Sequence, residues 1–112
     1  MNKVSLAAVA RRQQERAATA SSARSAETVY GGHERSLRQT VIALAAGAEL
    51  SEHESPGEAT VLVLSGRVEL AGRDTSWSGR SGDLIVVPED RHSLRALEDA
   101  AVLLTVVKTA RP

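Results

Sequence analysis

The chain has 112 residues, the length of one domain and too few for two hydrophobic cores, and it contains no cysteine, which excludes disulfides and thiolate metal ligands. Its 14 basic and 14 acidic residues give a net charge of zero, and this balance argues against nucleic acid binding, which needs a positively charged surface. No apolar run approaches the ~20 residues of a membrane span, and no targeting segment is recognisable, so we expect a cytoplasmic protein with no membrane partner.

The first 28 residues are expected to form a helix and a linker. Residues 5–20 are rich in Ala, Gln, Glu and Arg and lack Gly and Pro, which predicts a helix with Ser5 as its N-cap. Its apolar stripe is thin and is interrupted by Gln13, so we expect the helix to lie on a surface or on a partner subunit. Residues 19–28, rich in Ser, Thr and Ala, predict the linker. Whether this segment docks or is a mobile extension stays open at this stage.

From Val29 onward, short runs of aliphatic residues alternate with turn residues such as Gly31-Gly32 and Pro56-Gly57. Strands are predicted at 37–45, 48–53, 60–64, 67–71, 75–78, 83–87, 92–97 and 101–108. Short strands at this spacing indicate an all-β barrel or sandwich. The pattern alone does not choose between the two.

Two glycine-led blocks resemble the two sequence motifs of the cupin family. In the first block Gly47, His53 and Gly66 match the motif positions, and in the second block the matching residues are Gly82, Pro88 and His92. The resemblance spans roughly residues 36–108 and implies the cupin double-stranded β-helix, a jelly-roll barrel, with an N-terminal helical extension. The implied organisation is a helix and linker over 1–28, a cupin domain over 29–108 and a tail over 109–112.

The metal ligands of the family are only partly present. Cupins typically hold a divalent metal with three histidines and a glutamate, yet Ser55 stands at the second histidine position and Ala59 at the glutamate position. Glu58 is adjacent to Ala59, and strand alternation turns neighbouring side chains to opposite faces, so we expect Glu58 to point outward. The resemblance therefore implies a small cupin with degenerate metal-binding motifs.

Strand alternation also predicts which side chains line the barrel. If His53 points inward, Ser51 shares its face, and the same argument applies to Val61 with Val63 and to His92 with Leu94. An aliphatic cavity with a few polar groups is typical of a small-molecule site. The alternative is a barrel filled by its own side chains. The predicted ligand-binding residues are His53, His92, Ser51, Ser55, Val61, Val63 and Leu94.

A metal site is a separate hypothesis with its own residues. His53 and His92 match family ligand positions, and His33 is the only other histidine in the chain. Together they would hold Zn, Fe, Mn or Ni if all three converged. Otherwise His53 and His92 are buried histidines that orient a ligand, and His33 is a loop residue.

Two classes of function follow. The first is a small-molecule-binding cupin of the sensor or carrier kind, whose partner is an unknown small molecule. The second is a metal-dependent cupin enzyme, an oxygenase, isomerase or lyase acting on a small organic substrate through a three-histidine site. In either case we expect a homodimer, because a chain this small leaves much apolar surface uncovered.

Overall fold

The computed structural model describes residues 2–53, 57–88 and 91–108, with residues 52 and 53 described by their backbone. The described residues form one helix and nine strands, eight of which correspond to the strands that the sequence pattern predicts. Their bounds are α1 Leu6–Thr19, β1 Arg24–Tyr30, β2 Leu37–Leu44, β3 Glu49–His53, β4 Gly57–Ser65, β5 Arg67–Ala71, β6 Ser76–Arg80, β7 Leu84–Val86, β8 His92–Ala96 and β9 Ala100–Lys108. The helix within this part of the chain is too short and too polar to cross a membrane.

The strands form two antiparallel sheets. Sheet A has the order β1-β2-β9-β4-β7 and sheet B the order β3-β8-β5-β6. The apolar side chains between the sheets form the main core, which includes Leu44, Val61, Leu70, Leu94 and Val102. We call the side of sheet A that faces this core its core face and the opposite side its outer face. Two facing antiparallel sheets of this kind make the jelly-roll barrel that the sequence predicts.

The helix packs on the outer face of its own sheet A. Ser5 caps it as predicted, accepting a hydrogen bond of 3.2 Å from the backbone N–H of Ala8. Val9 and Ala10 then bury their side chains against Val41 and Leu103 in a second apolar cluster. The thin apolar stripe is thus sufficient, because the partner surface is a sheet of its own chain and no second subunit is needed to cover it.

The linker expected over 19–28 is instead mostly strand, since β1 begins at Arg24 and pairs with β2 along its length. The alternation that marks a strand is present here, but the half-buried side of β1 carries polar side chains. Gln13 of the helix is 0% exposed, and it donates a hydrogen bond of 2.9 Å to Glu27 and accepts one from the Ser25 hydroxyl. Side chains of the helix therefore supply hydrogen-bond partners to the polar residues of β1. Because the residues that pack against the helix are polar, the sequence shows no hydrophobic periodicity over this strand.

Candidate functional site

The core face of the barrel encloses a small apolar cavity at one end. Its volume is about 30 Å³. Among the described residues of its lining, His92 supplies the only ionisable side chain, and that residue is 7% exposed. The other described walls are aliphatic. The cavity is lined by Ile42, Leu50, Val61, Leu70, Val87, His92, Leu94 and Leu104.

Strand β8 carries the imidazole into this cavity. His92, Leu94 and Ala96 are buried and alternate with the half-buried Ser93 and the exposed Arg95, which is the alternation expected of a strand with one face in the core. The inward positions predicted for His92 and Leu94 are confirmed. His92 lies opposite His53 of β3 in the ladder between the two strands. The two motif histidines are therefore neighbours at the same end of sheet B.

Strand β4 supplies the opposite wall. Ala59, Val61 and Val63 are buried while Glu58 is exposed, which confirms that the glutamate beside the missing ligand points outward. Val61 lines the cavity as predicted. Val63 does not line the cavity, because it lies one step further along the same face of β4. There a methyl carbon of Val63 is 3.3 Å from the position that a Cβ would take at Gly79. Val63 is part of the packed core and not of the site.

The prediction for Ser51 is wrong, since this residue is exposed and Leu50 lines the cavity in its place. The cause is a register shift between β3 and β8. Leu50 is opposite Leu94 and His53 is opposite His92, so β3 holds one more residue than β8 over this stretch. A bulge of this kind interrupts the alternation of side chains, and counting back from His53 then assigns the wrong face.

Two further predicted residues have a limited description. Ser55 lies outside the described residues, and for His53 the backbone alone is described. Five lining residues were not predicted: Ile42, Leu50, Leu70, Val87 and Leu104. All five lie in predicted strands. For Ile42, Leu70, Val87 and Leu104, the phase of those strands relative to the histidines is the signal that would have identified them, whereas the bulge in β3 hides Leu50.

The donor set does not fit a divalent metal within the described side chains. His33 is exposed in the loop between β1 and β2. That loop lies at the Lys108 end of sheet A, because Lys108 Nζ is 3.4 Å from the carbonyl oxygen of Gly32. In the ranges 2–51, 57–88 and 91–108, no three His, Cys, Asp or Glu side chains come together as a metal site. A stable site for a first-row metal normally needs three or four such ligands.

A larger depression of about 370 Å³ lies on the surface where the edge strands β6 and β7 approach each other. Its walls include Trp77, Leu84 and Val86, all of them exposed. Asp83 is its ionisable residue, and the Asp83 carboxylate already accepts a hydrogen bond of 2.9 Å from the backbone N–H of Arg80. This depression is shallow-walled apolar surface with its described carboxylate already engaged, and the cavity at His92, which lies at the motif positions, is the better candidate site.

Comparison with known proteins identifies the family through structure. No protein-family profile matches the sequence, and no curated protein is similar enough to count as a relative. A conserved Streptococcus pyogenes protein of unknown function is similar at 32% identity, with 82% of this chain and 80% of that chain covered and a TM-score of 0.73. An RmlC-like cupin from Desulfovibrio desulfuricans is similar at 28% identity, with coverages of 75% and 81% and a TM-score of 0.66.

The fold is shared more widely. A cupin superfamily protein from Desulfitobacterium hafniense aligns at 18% identity over 77% of this chain and 78% of that chain, with a TM-score of 0.70. At that identity the likeness concerns the fold alone. The barrel, the two motif histidines at one end and the two closer relatives agree with the resemblance seen in the sequence. The chain is a small cupin-domain protein.

Proposed function

We propose that the protein binds a small molecule at the His92 end of its barrel and acts as a sensor or carrier, without a catalytic metal. The observation that carries this proposal is the makeup of the cavity, whose described lining has the His92 imidazole among seven aliphatic side chains. Apolar walls supply affinity, and a sparse polar group fixes the orientation of the ligand. His92 is the residue that would orient it.

The cavity volume limits what enters it. About 30 Å³ is room for one or two water-sized groups, given that a single water needs roughly 10–15 Å³ by the same measure. A methyl or a short branched end of a ligand therefore fits beside Val61 and Leu94. The remainder of the ligand would lie at the mouth, above His92. The proposal thus favours short aliphatic molecules over bulky ring systems.

Binding is favoured over catalysis by the side chains that the described lining lacks. Acid and base catalysis usually pairs two titratable groups, whereas the described lining holds one, and Glu58, next to the inward Ala59, is exposed on the opposite face of β4. One observation favours the enzyme alternative, namely that His53 and His92 are opposite each other in the ladder. A metal-dependent oxygenase, isomerase or lyase would need a third ligand such as His33. The metal content of the purified protein distinguishes the binding protein from the metal-dependent enzyme.

A cavity-filling variant tests the proposal directly. Val61→Ile adds one methylene group where the cavity is, so we expect it to abolish binding while the fold is kept. Val107→Ile, a half-buried residue of β9 that does not line the cavity, is the matched control. Binding of isovaleramide, a short branched neutral amide, would be followed through the NMR signals of the Val61 and Leu94 methyl groups in the wild type.

The expected result is a saturable shift of these methyl signals and of the His92 ring signals. In Val61→Ile the remaining Leu94 and His92 signals should no longer respond, while in Val107→Ile they should respond as in the wild type. If isovaleramide, short branched alcohols and the corresponding carboxylates all leave these signals unmoved in the wild type, or if Val61→Ile binds as well as the wild type, the barrel is not the binding site.

A further inference from the structure

Arg38 stands on the core face of sheet A, a place where an arginine is unusual. It is opposite Val106 of β9, and Val106 is in turn opposite Ala59 of β4. Val106 and Ala59 are both buried in the main core. Arg38 also alternates in phase with Ile42 and Leu44, which belong to the same core. The strand therefore aims this residue toward the barrel interior, and its side chain is half-buried.

The position of Arg38 is at the mouth of the proposed site. The next row of core-facing residues toward the closed end is Thr40, Leu104 and Val61, and the last two line the cavity. Rows on one strand face are about 7 Å apart, twice the rise per residue. The row of Arg38 is joined to Val87, another lining residue, because the backbone N–H of Val87 donates to the Ala59 carbonyl oxygen at 3.0 Å. Arg38 thus stands in the same row as the lining residue Val87 and one row from Leu104 and Val61.

The described core-facing positions around the mouth carry two basic residues, Arg38 and Lys108. No Asp or Glu is at a core-facing position of β2, β4, β8 or β9 within the described ranges. Lys108, two residues beyond Val106 on the same face, adds a second cation, with its ammonium 3.4 Å from the Gly32 carbonyl oxygen. Within the same ranges the Arg38 side chain makes no ion pair or hydrogen bond. A half-buried cation without a partner is costly, and an anion from outside would compensate it.

We propose that the ligand of this barrel is a small amphiphilic carboxylate, with its aliphatic end in the cavity beside His92 and its carboxylate on the guanidinium of Arg38. This inference rests on the proposed function and specifies its ligand class. An arginine is suited to the role because its planar guanidinium donates two parallel hydrogen bonds to a carboxylate. The chain as a whole has a net charge of zero, so the positive charge at the mouth comes from where Arg38 and Lys108 are placed and not from an excess of basic residues.

The test compares two probes that differ only in the charged group. Isovalerate is ionised at neutral pH, and isovaleramide has the same branched body without the charge. Dissociation constants would be measured by NMR titration for the wild type, Arg38→Gln, Arg38→Lys and Arg73→Gln. Arg73 is an exposed arginine outside the described strands and serves as the matched control.

We expect the wild type to bind isovalerate at least tenfold more tightly than isovaleramide. Arg38→Gln should remove that preference and leave isovaleramide binding unchanged, Arg38→Lys should retain part of the preference, and Arg73→Gln should behave as the wild type. The preference should also weaken as salt is added, because the mouth is partly exposed.

Equal affinity of the wild type for both probes would overturn the carboxylate inference while leaving small-molecule binding in the barrel intact. The same holds if Arg38→Gln keeps the full preference for isovalerate. If neither probe moves the Leu94 and His92 signals, the proposed function fails and the ligand class fails with it. The wild-type comparison of the two probes needs no variant, so it stands even if Arg38→Gln folds poorly.

Discussion

One nitrogen of Arg12 bridges both carboxylate oxygens of Glu27, with Nη2 2.8 Å from Oε1 and 3.0 Å from Oε2. This contact joins α1 to β1 through two residues that are 15 positions apart in the chain. The hydrogen bond from Arg12 is the main cause of a lowered pKa for Glu27, and a hydrogen bond from Gln13 lowers the pKa further. The helix and the strand are thus joined by a contact that depends on the ionisation of one carboxylate.

The stability of the protein should depend on pH through Glu27. Its pKa in the folded protein is below the ordinary value of 4.5, so the contribution of the ionised form is present above 4.5 and is lost as the pH falls through the folded pKa. We expect Glu27→Gln to melt at a lower temperature than the wild type at neutral pH, and the difference to shrink on acidification. Glu15→Gln, at an exposed site on the same helix, is the control. A difference that stays constant into strong acid would contradict the role of Glu27.

Gln13→Ala should destabilise the protein by about 2 kcal/mol, because the Ser25 hydroxyl and the Glu27 carboxylate each lose a buried partner. Arg11→Ala, at an exposed position of α1, should change the free energy of unfolding by less than about 0.5 kcal/mol. Urea denaturation of both variants measures the two values. If Gln13→Ala proves as neutral as Arg11→Ala, the polar contacts of α1 contribute nothing to its docking.

The two glycines of the first motif should differ in their tolerance of substitution. Gly66 has a φ of 76° and a Cβ there would be 2.1 Å from the carbonyl oxygen of Asp99, so Gly66→Ala must move backbone. Gly47 has a φ of 86° with no atom within 4 Å of such a Cβ. Gly47→Ala should cost about 1 kcal/mol for the left-handed backbone, and Gly66→Ala about 3 kcal/mol or more. Equal melting temperatures would show that the Asp99 contact yields easily.

The core-facing side of a strand was predictable wherever alternation is unbroken, and not elsewhere. Along β4 and β8 one inward residue fixes the rest, which is how the outward direction of Glu58 and the burial of Leu94 follow from the sequence. In β3 the extra residue between Leu50 and His53 shifts the phase, and no local sequence signal marks it. Strand β1 was missed because the side that packs against the helix carries the polar residues Ser25 and Glu27. Gln13, which binds both of them, is distant in sequence.

The metal content separates a binding protein from an enzyme. We expect the purified protein to carry much less than one divalent metal per chain, because Ser55 and Ala59 replace two of the four family ligands. Added Zn, Fe, Mn or Ni should raise the melting temperature only slightly, whereas saturation at a hundredfold excess over the dissociation constant would add ~2.7 kcal/mol. Elemental analysis and thermal shift measure both. Near-stoichiometric metal lost in His33→Ala, His53→Ala and His92→Ala alike would establish the three-histidine site and favour the enzyme.

We expect the protein to form a homodimer at micromolar concentration. The helix covers part of the outer face of sheet A but not β7, where Leu84 is 61% and Val86 71% exposed. Two apolar side chains that are this exposed and lie side by side on one strand favour burial against a second copy of the chain. Light scattering should give twice the chain mass, and Leu84→Arg should lower it, whereas Leu97→Arg at another exposed apolar position should not. A monomer mass for the wild type would contradict the expectation.

Strand β9 lies between β2 and β4 in sheet A, and it pairs with both of them along most of its length. A chain emerging from the ribosome therefore holds two separate half-sheets, β1 with β2 and β4 with β7, until residues 100–108 have been synthesised. The surface on which α1 packs is also incomplete until then, because Ala101 and Leu103 belong to it. Sheet A can close only after its last strand is synthesised, and until then the edges of β2 and β4 that β9 will cover remain unpaired.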